Sequence, residues 1–248
     1  MKNLLVALLL FPTFLFAQTA QEIITKMDNK LKGKSVKSEN SITIVRPTYT
    51  REMTMVSWSL GKDYSLTLLT APKRDAGGTF LNRDKEIWSY SPSIERIIKL
   101  PPSMMSQNWM GTDFTNDDLV QQSSLVTDYT HSFGKDETLE GYDCYQIIMI
   151  PKEDAAIVWG KVIVWVDKTE YMELKVEFYD EDGYLVNTML GKNPKTFDGK
   201  LLPSVMEMIP ADKPGNKTIM TTISMKFDIT VDESFFTTRN MKSVTTND

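Results

Sequence analysis

The sequence predicts a mainly β protein, in which one strongly curved antiparallel sheet wraps around a shared interior. Three observations carry this. From Val36 onward the apolar residues recur with a period of two, most cleanly where Met172, Leu174, Val176 and Phe178 alternate with Glu173, Lys175 and Glu177. The candidate strands are short and separated by turn residues such as Pro47, Gly61, Pro92 and the EDG run at 181–183, which implies hairpin neighbours and not βαβ units. About a dozen strands in series, each with one apolar face, bury those faces best by closing or nearly closing into a barrel.

The chain opens MKNLLVALLLFPTFLFAQ. A charged start, an apolar run from Leu4 to Phe16 and the small Ala17 describe a secretory signal peptide over 1–17, too short to span a bilayer comfortably. Residues 18–242 then form one domain. Thr19 to Leu31 reads as an amphipathic helix: Thr19 and Glu22 make a capping box, and Ile23, Ile24, Met27 and Leu31 share a face. So short a helix is stable only when that face lies on something else, here the sheet. Strands are expected at 38–46, 51–60, 63–70, 78–82, 86–91 and 94–100, and again at 137–139, 142–150, 160–167, 171–180, 184–190, 200–209 and 217–230. HSFG at 131–134 reads as a polar turn. The tail, 243–248, is polar and expected to be disordered.

Between the two sets of strands lies LPPSMMSQNWMGTDFTNDDLV, Leu100 to Val120. Pro101-Pro102 cannot continue a paired central strand. Met104, Met105, Trp109, Met110 and Phe114 follow, without strict alternation, among Ser, Asn, Gly, Thr and Asp. Methionine adapts to irregular shapes and tryptophan offers a broad apolar face, so the segment suits a lid across the barrel mouth. From the residues alone it suits still better a long crossover loop that plugs one end of a core.

Composition excludes several kinds of chemistry. His131 is the single histidine and Cys144 the single cysteine, so no His/Cys metal cluster and no internal disulfide can form. No G-x-S-x-G elbow and no G-K-[ST] phosphate loop occurs. Asp117 and Asp118 are adjacent and so diverge in any regular element, which makes them a poor acid/base pair. Asp180 to Gly183 lacks the alternating ligands of a calcium loop and reads as a turn. The net charge of −5 and pI near 5.1 argue against nucleic acid and anionic membranes. No catalytic residue, metal or cofactor is expected, and binding remains. Leu100, Met104, Met105, Trp109, Met110 and Phe114 in the lid, with Trp58, Trp88 and Trp165 on the strands, are the candidates to line an apolar cavity. The tryptophans also fit an ordinary core.

Particular blocks then become familiar: KLPPSMMSQNWMGTDFTNDDL at 99–119, GYDCYQI at 141–147, VIVWVDKTEYMELKVEFYDEDG at 162–183 and DGKLLPSVMEM at 198–208. On these the sequence resembles the outer-membrane lipoprotein-sorting protein family, the LolA-like periplasmic carriers, in a branch with an LPPSMMSQNWMGTDF-type motif. The resemblance spans essentially the whole chain after the signal. It implies an incomplete β-barrel closed by helices, and a cavity that carries a lipoprotein acyl chain or another lipid through the periplasm, with transient membrane contact. Cys144, the single cysteine, lies far from the expected cleavage site, so a soluble mature protein, taken as a monomer, is expected. The resemblance implies a non-catalytic protein and, through relatives associated with RND-type exporters, such an inner-membrane transporter as partner, with an accessory subunit of that exporter as the alternative reading. A lid-closing arginine is a further implication, with Arg46, Arg51 and Arg96 as the candidates.

Overall fold

A computed structural model of the chain describes residues 18–84, 86–120, 124–153, 155 and 157–248. The expected signal peptide, 1–17, lies outside the described residues. Helix α1, Ala20–Leu31, starts at the predicted capping box: Thr19 Oγ1 accepts from the Glu22 amide at 3.2 Å and the Glu22 carboxylate accepts from the Thr19 amide at 2.9 Å. Ile23, Ile24 and Met27 are buried against strands, whereas Leu31 is exposed.

Fourteen strands follow: β1 Ser35–Arg46, β2 Tyr49–Leu60, β3 Tyr64–Ala71, β4 Thr79–Arg83, β5 Glu86–Ser91, β6 Arg96–Leu100, β7 Tyr129–Phe133, β8 Glu137–Leu139, β9 Tyr142–Pro151, β10 Lys161–Asp167, β11 Glu173–Tyr179, β12 Leu185–Phe197, β13 Lys200–Pro210 and β14 Lys217–Phe227. They form a single antiparallel sheet in the order β6-β5-β4-β3-β2-β1-β14-β13-β12-β11-β10-β9-β7, with β8 beside β9. The first and last long strands therefore pair in the middle of the sheet, Ile42 opposite Met220 and Ile44 opposite Thr218. Strands β6 and β7 are left as two free edges, so the barrel is incomplete.

Two strand expectations change. HSFG is not a turn: β7 pairs with β9, Thr130 opposite Ile150 and Ser132 opposite Ile148. Only Tyr129 of this edge strand is buried, so it carries little of the apolar alternation by which strands are read. Strand β12 continues past Leu190 through the polar GKNPKTF run to Phe197, held by β13 with Pro194 opposite Pro203.

The sheet carries apolar clusters on both faces. Its inner face, taken here as the one under α1, carries Ile147, Met149, Val162, Val164, Val176, Phe178 and Met208. The same face continues through Met220, Ile42, Ile44, Met53, Met55 and Leu69. The outer face of the first half carries Val56, Trp58, Leu66 and Leu81, and the chain after β14 returns across it with Phe235, Phe236, Met241 and Val244. The tail expected to be disordered is therefore ordered. Val244 packs into this layer, and Lys37 Nζ donates to the carbonyls of Thr246 at 2.9 Å and Asp248 at 3.1 Å.

Candidate functional site

The segment after β6 lies over the inner face and joins the two free edges of the sheet. Pro101 and Pro102 end β6, and a tight turn follows in which the Met105 amide bonds the Pro102 carbonyl at 3.0 Å. A closed loop comes next. The Trp109 amide bonds the Phe114 carbonyl at 2.8 Å, Thr112 Oγ1 donates to the Trp109 carbonyl at 2.7 Å, and Asn108 Nδ2 donates to the Thr112 carbonyl at 2.6 Å. Asn116 ties it down by donating from Nδ2 to the Met104 carbonyl at 2.8 Å. The polar residues scattered through the motif thus satisfy the loop's own backbone, which frees its apolar side chains to point at the sheet. At the tip Met110 has φ 47° and Gly111 φ 79°, a reversal in which methionine occupies backbone space that favours glycine.

Trp109 and Phe114 form the underside. Trp109 is buried against Ile42, Ile44, Met53, Met55 and Leu69, and meets Phe80 edge-on at 5.3 Å. Phe114 joins the cluster under α1. Between lid and sheet, amid Ser65, Thr67, Phe80, Ile87, Leu100, Trp109 and Asn116, a cavity of only about 10 Å³ remains, room for about one water. At this point the segment packs directly on the sheet.

A polar clasp holds the tip at one end of the barrel. Arg46, the last residue of β1, donates from Nη1 to Asp113 Oδ2 at 2.9 Å, and from Nη2 to Asp113 Oδ1 at 3.1 Å and the Gly111 carbonyl at 2.8 Å. Thr218 Oγ1 donates to the same carboxylate at 2.7 Å. Beside it Arg51 donates to the Met110 carbonyl at 3.2 Å and to Asp75 at 2.9 Å. A two-point guanidinium–carboxylate pair fixes orientation as well as charge.

Solved structures share this architecture. The chain is similar to an outer membrane lipoprotein-sorting protein domain from Vibrio parahaemolyticus, at 26% identity and TM-score 0.80, covering 90% of this chain and 98% of that one. A LolA superfamily protein from Nitrosomonas europaea matches at 24% and 0.76, covering 90% and 99%. A DUF1329 family protein from Desulfovibrio piger matches at 21% and 0.81, covering 90% and 97%. A family model described as "-like: Uncharacterized protein" matches residues 61–243. The chain belongs to the family of this model, and it shares the fold of the LolA superfamily and lipoprotein-sorting structures. No curated protein sequence matches it significantly.

In this LolA-like barrel the candidate residues divide. Trp109, Phe114 and Met105 are buried under the lid, while Leu100, Met104 and Met110 are partly covered at its margins. Trp58 and Trp88 lie on the opposite face with the C-terminal segment. Trp165 lies on the outer side of β10, where its indole donates to Glu137 at 2.9 Å and Lys175 Nζ sits 4.1 Å from its ring centre. Arg46 and Arg51 touch the lid, and Arg96 is exposed at the start of β6. Sequence reasoning had no means of selecting Asp113, Thr218 or Phe80, all distant in the chain from the groups they meet. His131 Nε2 donates to the Leu125 carbonyl at 2.7 Å, a structural tie.

Two carboxyls are held above their usual range. Asp118 sits in the first turn of α2, Asn116–Val120, and its carboxylate accepts from the Thr115 amide at 2.8 Å. Loss of hydration by burial nevertheless pushes it up to about 6, aided by Asp117. Glu173, where β11 passes α1, is pushed up to about 7 by burial and by Asp28.

Proposed function

We propose that the protein is a periplasmic, non-catalytic carrier that takes a lipoprotein acyl chain or another lipid under its lid and moves it towards the outer membrane. One observation carries the reading. An amphipathic segment, joined to both free edges of the sheet, is clasped by Arg46 over a methionine-rich apolar face. Leu100, Met104, Met105, Trp109, Met110 and Phe114 are the residues that meet the cargo. The name of the Vibrio parahaemolyticus relative supports the cargo class.

Shelter, not reaction, is the chemistry. Burying an acyl chain gains about 0.8 kcal/mol per methylene, so a chain of ~16 carbons is worth on the order of 12 kcal/mol against water. A cavity that matches the bilayer's shelter lets the lipid pass in either direction, so the direction comes from the donor or acceptor. An RND-type inner-membrane transporter is the proposed donor. The closed interior means that cargo enters by displacing Trp109 and Phe114, and flexible methionines reshape around it at small cost.

The small cavity between the segment and the sheet favours a second reading, an accessory subunit of an RND-type exporter whose barrel stays shut. Native mass spectrometry of the periplasmic protein separates the two, with tryptophan fluorescence during titration with lysolipid. Bound lipid, and a spectral change lost in Trp109→Phe, support the carrier. Absence of both supports the subunit.

A further inference from the structure

The two ends of the barrel are unlike. Because the strands are antiparallel, the connections β2–β3, β4–β5, β8–β9, β10–β11 and β12–β13 fall at one end, and β1–β2, β3–β4, β5–β6, β9–β10, β11–β12 and β13–β14 at the other. The first end is polar: Lys62-Asp63, Asp84, Glu140, Lys168 to Glu170 and Asp198-Gly199 make its turns. Leu31, at the end of α1, is the one large exposed apolar side chain there among the described residues.

At the second end large apolar side chains are exposed in or next to four connections. Tyr184 is 72% exposed, Tyr49 and Ile94 each 56%, and Leu185 and Ile150 are also exposed. The other exposed apolar residues, Ile98, Phe133 and Ile223, lie along strands. The clasp sits at this same end: Tyr49 pairs with Arg46 across the β1–β2 hairpin, and Arg46 Nη1 also donates to the carbonyl of Lys217, where β14 begins.

We infer that this ring of hairpin tips is a docking surface for a lipid bilayer, and that it sets the lid's clasp against that bilayer. Separate tips, each from a different hairpin and divided by charged residues, do not make the continuous apolar core of a protein interface. They do make several shallow anchors, and tyrosine, with an apolar body and a polar end, suits the headgroup layer. Carboxylates outnumber cations in these connections, most densely at Asp180, Glu181 and Asp182. The surface therefore matches a zwitterionic membrane and is repelled by an anionic one. Docking brings the mouth of the carrier to the layer that holds acyl chains. The inference extends the carrier reading, but its test needs no cargo.

The test is flotation of the full mature protein with phosphatidylcholine vesicles, compared with vesicles rich in phosphatidylglycerol. The expected result is co-flotation with phosphatidylcholine, weaker flotation with phosphatidylglycerol, and a loss of at least about tenfold in partitioning for the triple variant Tyr49→Ser/Ile94→Ser/Tyr184→Ser. The polar-end variant Lys62→Ser/Asp84→Ser should float like the wild type. Circular dichroism checks that the exposed triple change leaves the fold intact. The inference is overturned if the wild type does not float, which would favour a protein partner at this end. Undiminished flotation of the triple variant, or tighter binding to the anionic vesicles, overturns it as well. Lipid uptake by a protein that never floats would sink this inference and leave the carrier standing.

Discussion

Arg46 grips both oxygens of Asp113, at 2.9 and 3.1 Å, across 67 residues of chain. Both side chains are largely buried, the Asp113 carboxylate almost entirely. Such a pair contributes less by its own attraction than by what its loss leaves behind, an ionised group without its partner in a poorly hydrated place. Removing either partner should therefore loosen the segment where it meets β1.

Arg46→Ala should accordingly destabilise the closed lid by about 3–5 kcal/mol. Hydrogen exchange reads this directly: amides in 104–118 should exchange faster while those of β9 and β10 keep their protection. Unchanged protection of the lid would assign closure to apolar packing alone.

Trp109→Ala should cost up to about 3–5 kcal/mol in thermal or denaturant unfolding, less if the lid lifts and leaves no cavity. Trp109→Phe should recover part of the loss, since a smaller ring can still meet Phe80 edge-on. Equal losses in both variants would mean that the indole is not packing as described.

Phe236→Ala offers a contrast from the outer face. The side chain is fully buried beside Trp58 and Leu66, so its loss should cost about 3–5 kcal/mol. Lysolipid bound per folded molecule should stay at the wild-type value, because this layer is separated from the lid by the sheet. A specific loss of binding would place the cargo on the other side.

The pH dependence has a defined sign. Asp118 and Glu173 have ordinary values of 3.8 and 4.5, and stand at about 6 and about 7 when folded. Between those limits the folded state holds protons that the unfolded chain has released. Stability therefore rises as pH falls, and the penalty of ionisation is fully present above about pH 7. From pH 7.5 to 5.5 the gain should be about 2–3 kcal/mol for the two groups together. Asp118→Asn combined with Glu173→Gln should flatten the melting temperature over that window; a persisting rise would trace it to other groups.

Much of this architecture is legible in the sequence wherever the information is local. The capping box at Thr19 and Glu22, the alternation through β11 and the stop at Pro101-Pro102 depend on residues a few positions apart. The pairing of β1 with β14 depends on registers set across nearly the whole chain, and no periodicity reports it. The tryptophans show a second limit. Alternation says that Trp58 and Met55 face opposite ways, but β2 is buried on both faces, so hydrophobicity alone could not say which side holds the lid. The lid's apolar content was visible. The carboxylate that fastens it was one acidic residue among several until the fold brought Arg46 alongside. Strand β7 and the tail were missed for one reason: polar sequence can be ordered by backbone pairing or by a few contacts supplied from far away.

The cover over the interior belongs to the stretch of chain that runs between the edge strands β6 and β7. Arg46 reaches it from β1, in the middle of the same sheet. The cover is therefore moored like a tent, at its hems by the chain itself and at its centre by a single pole.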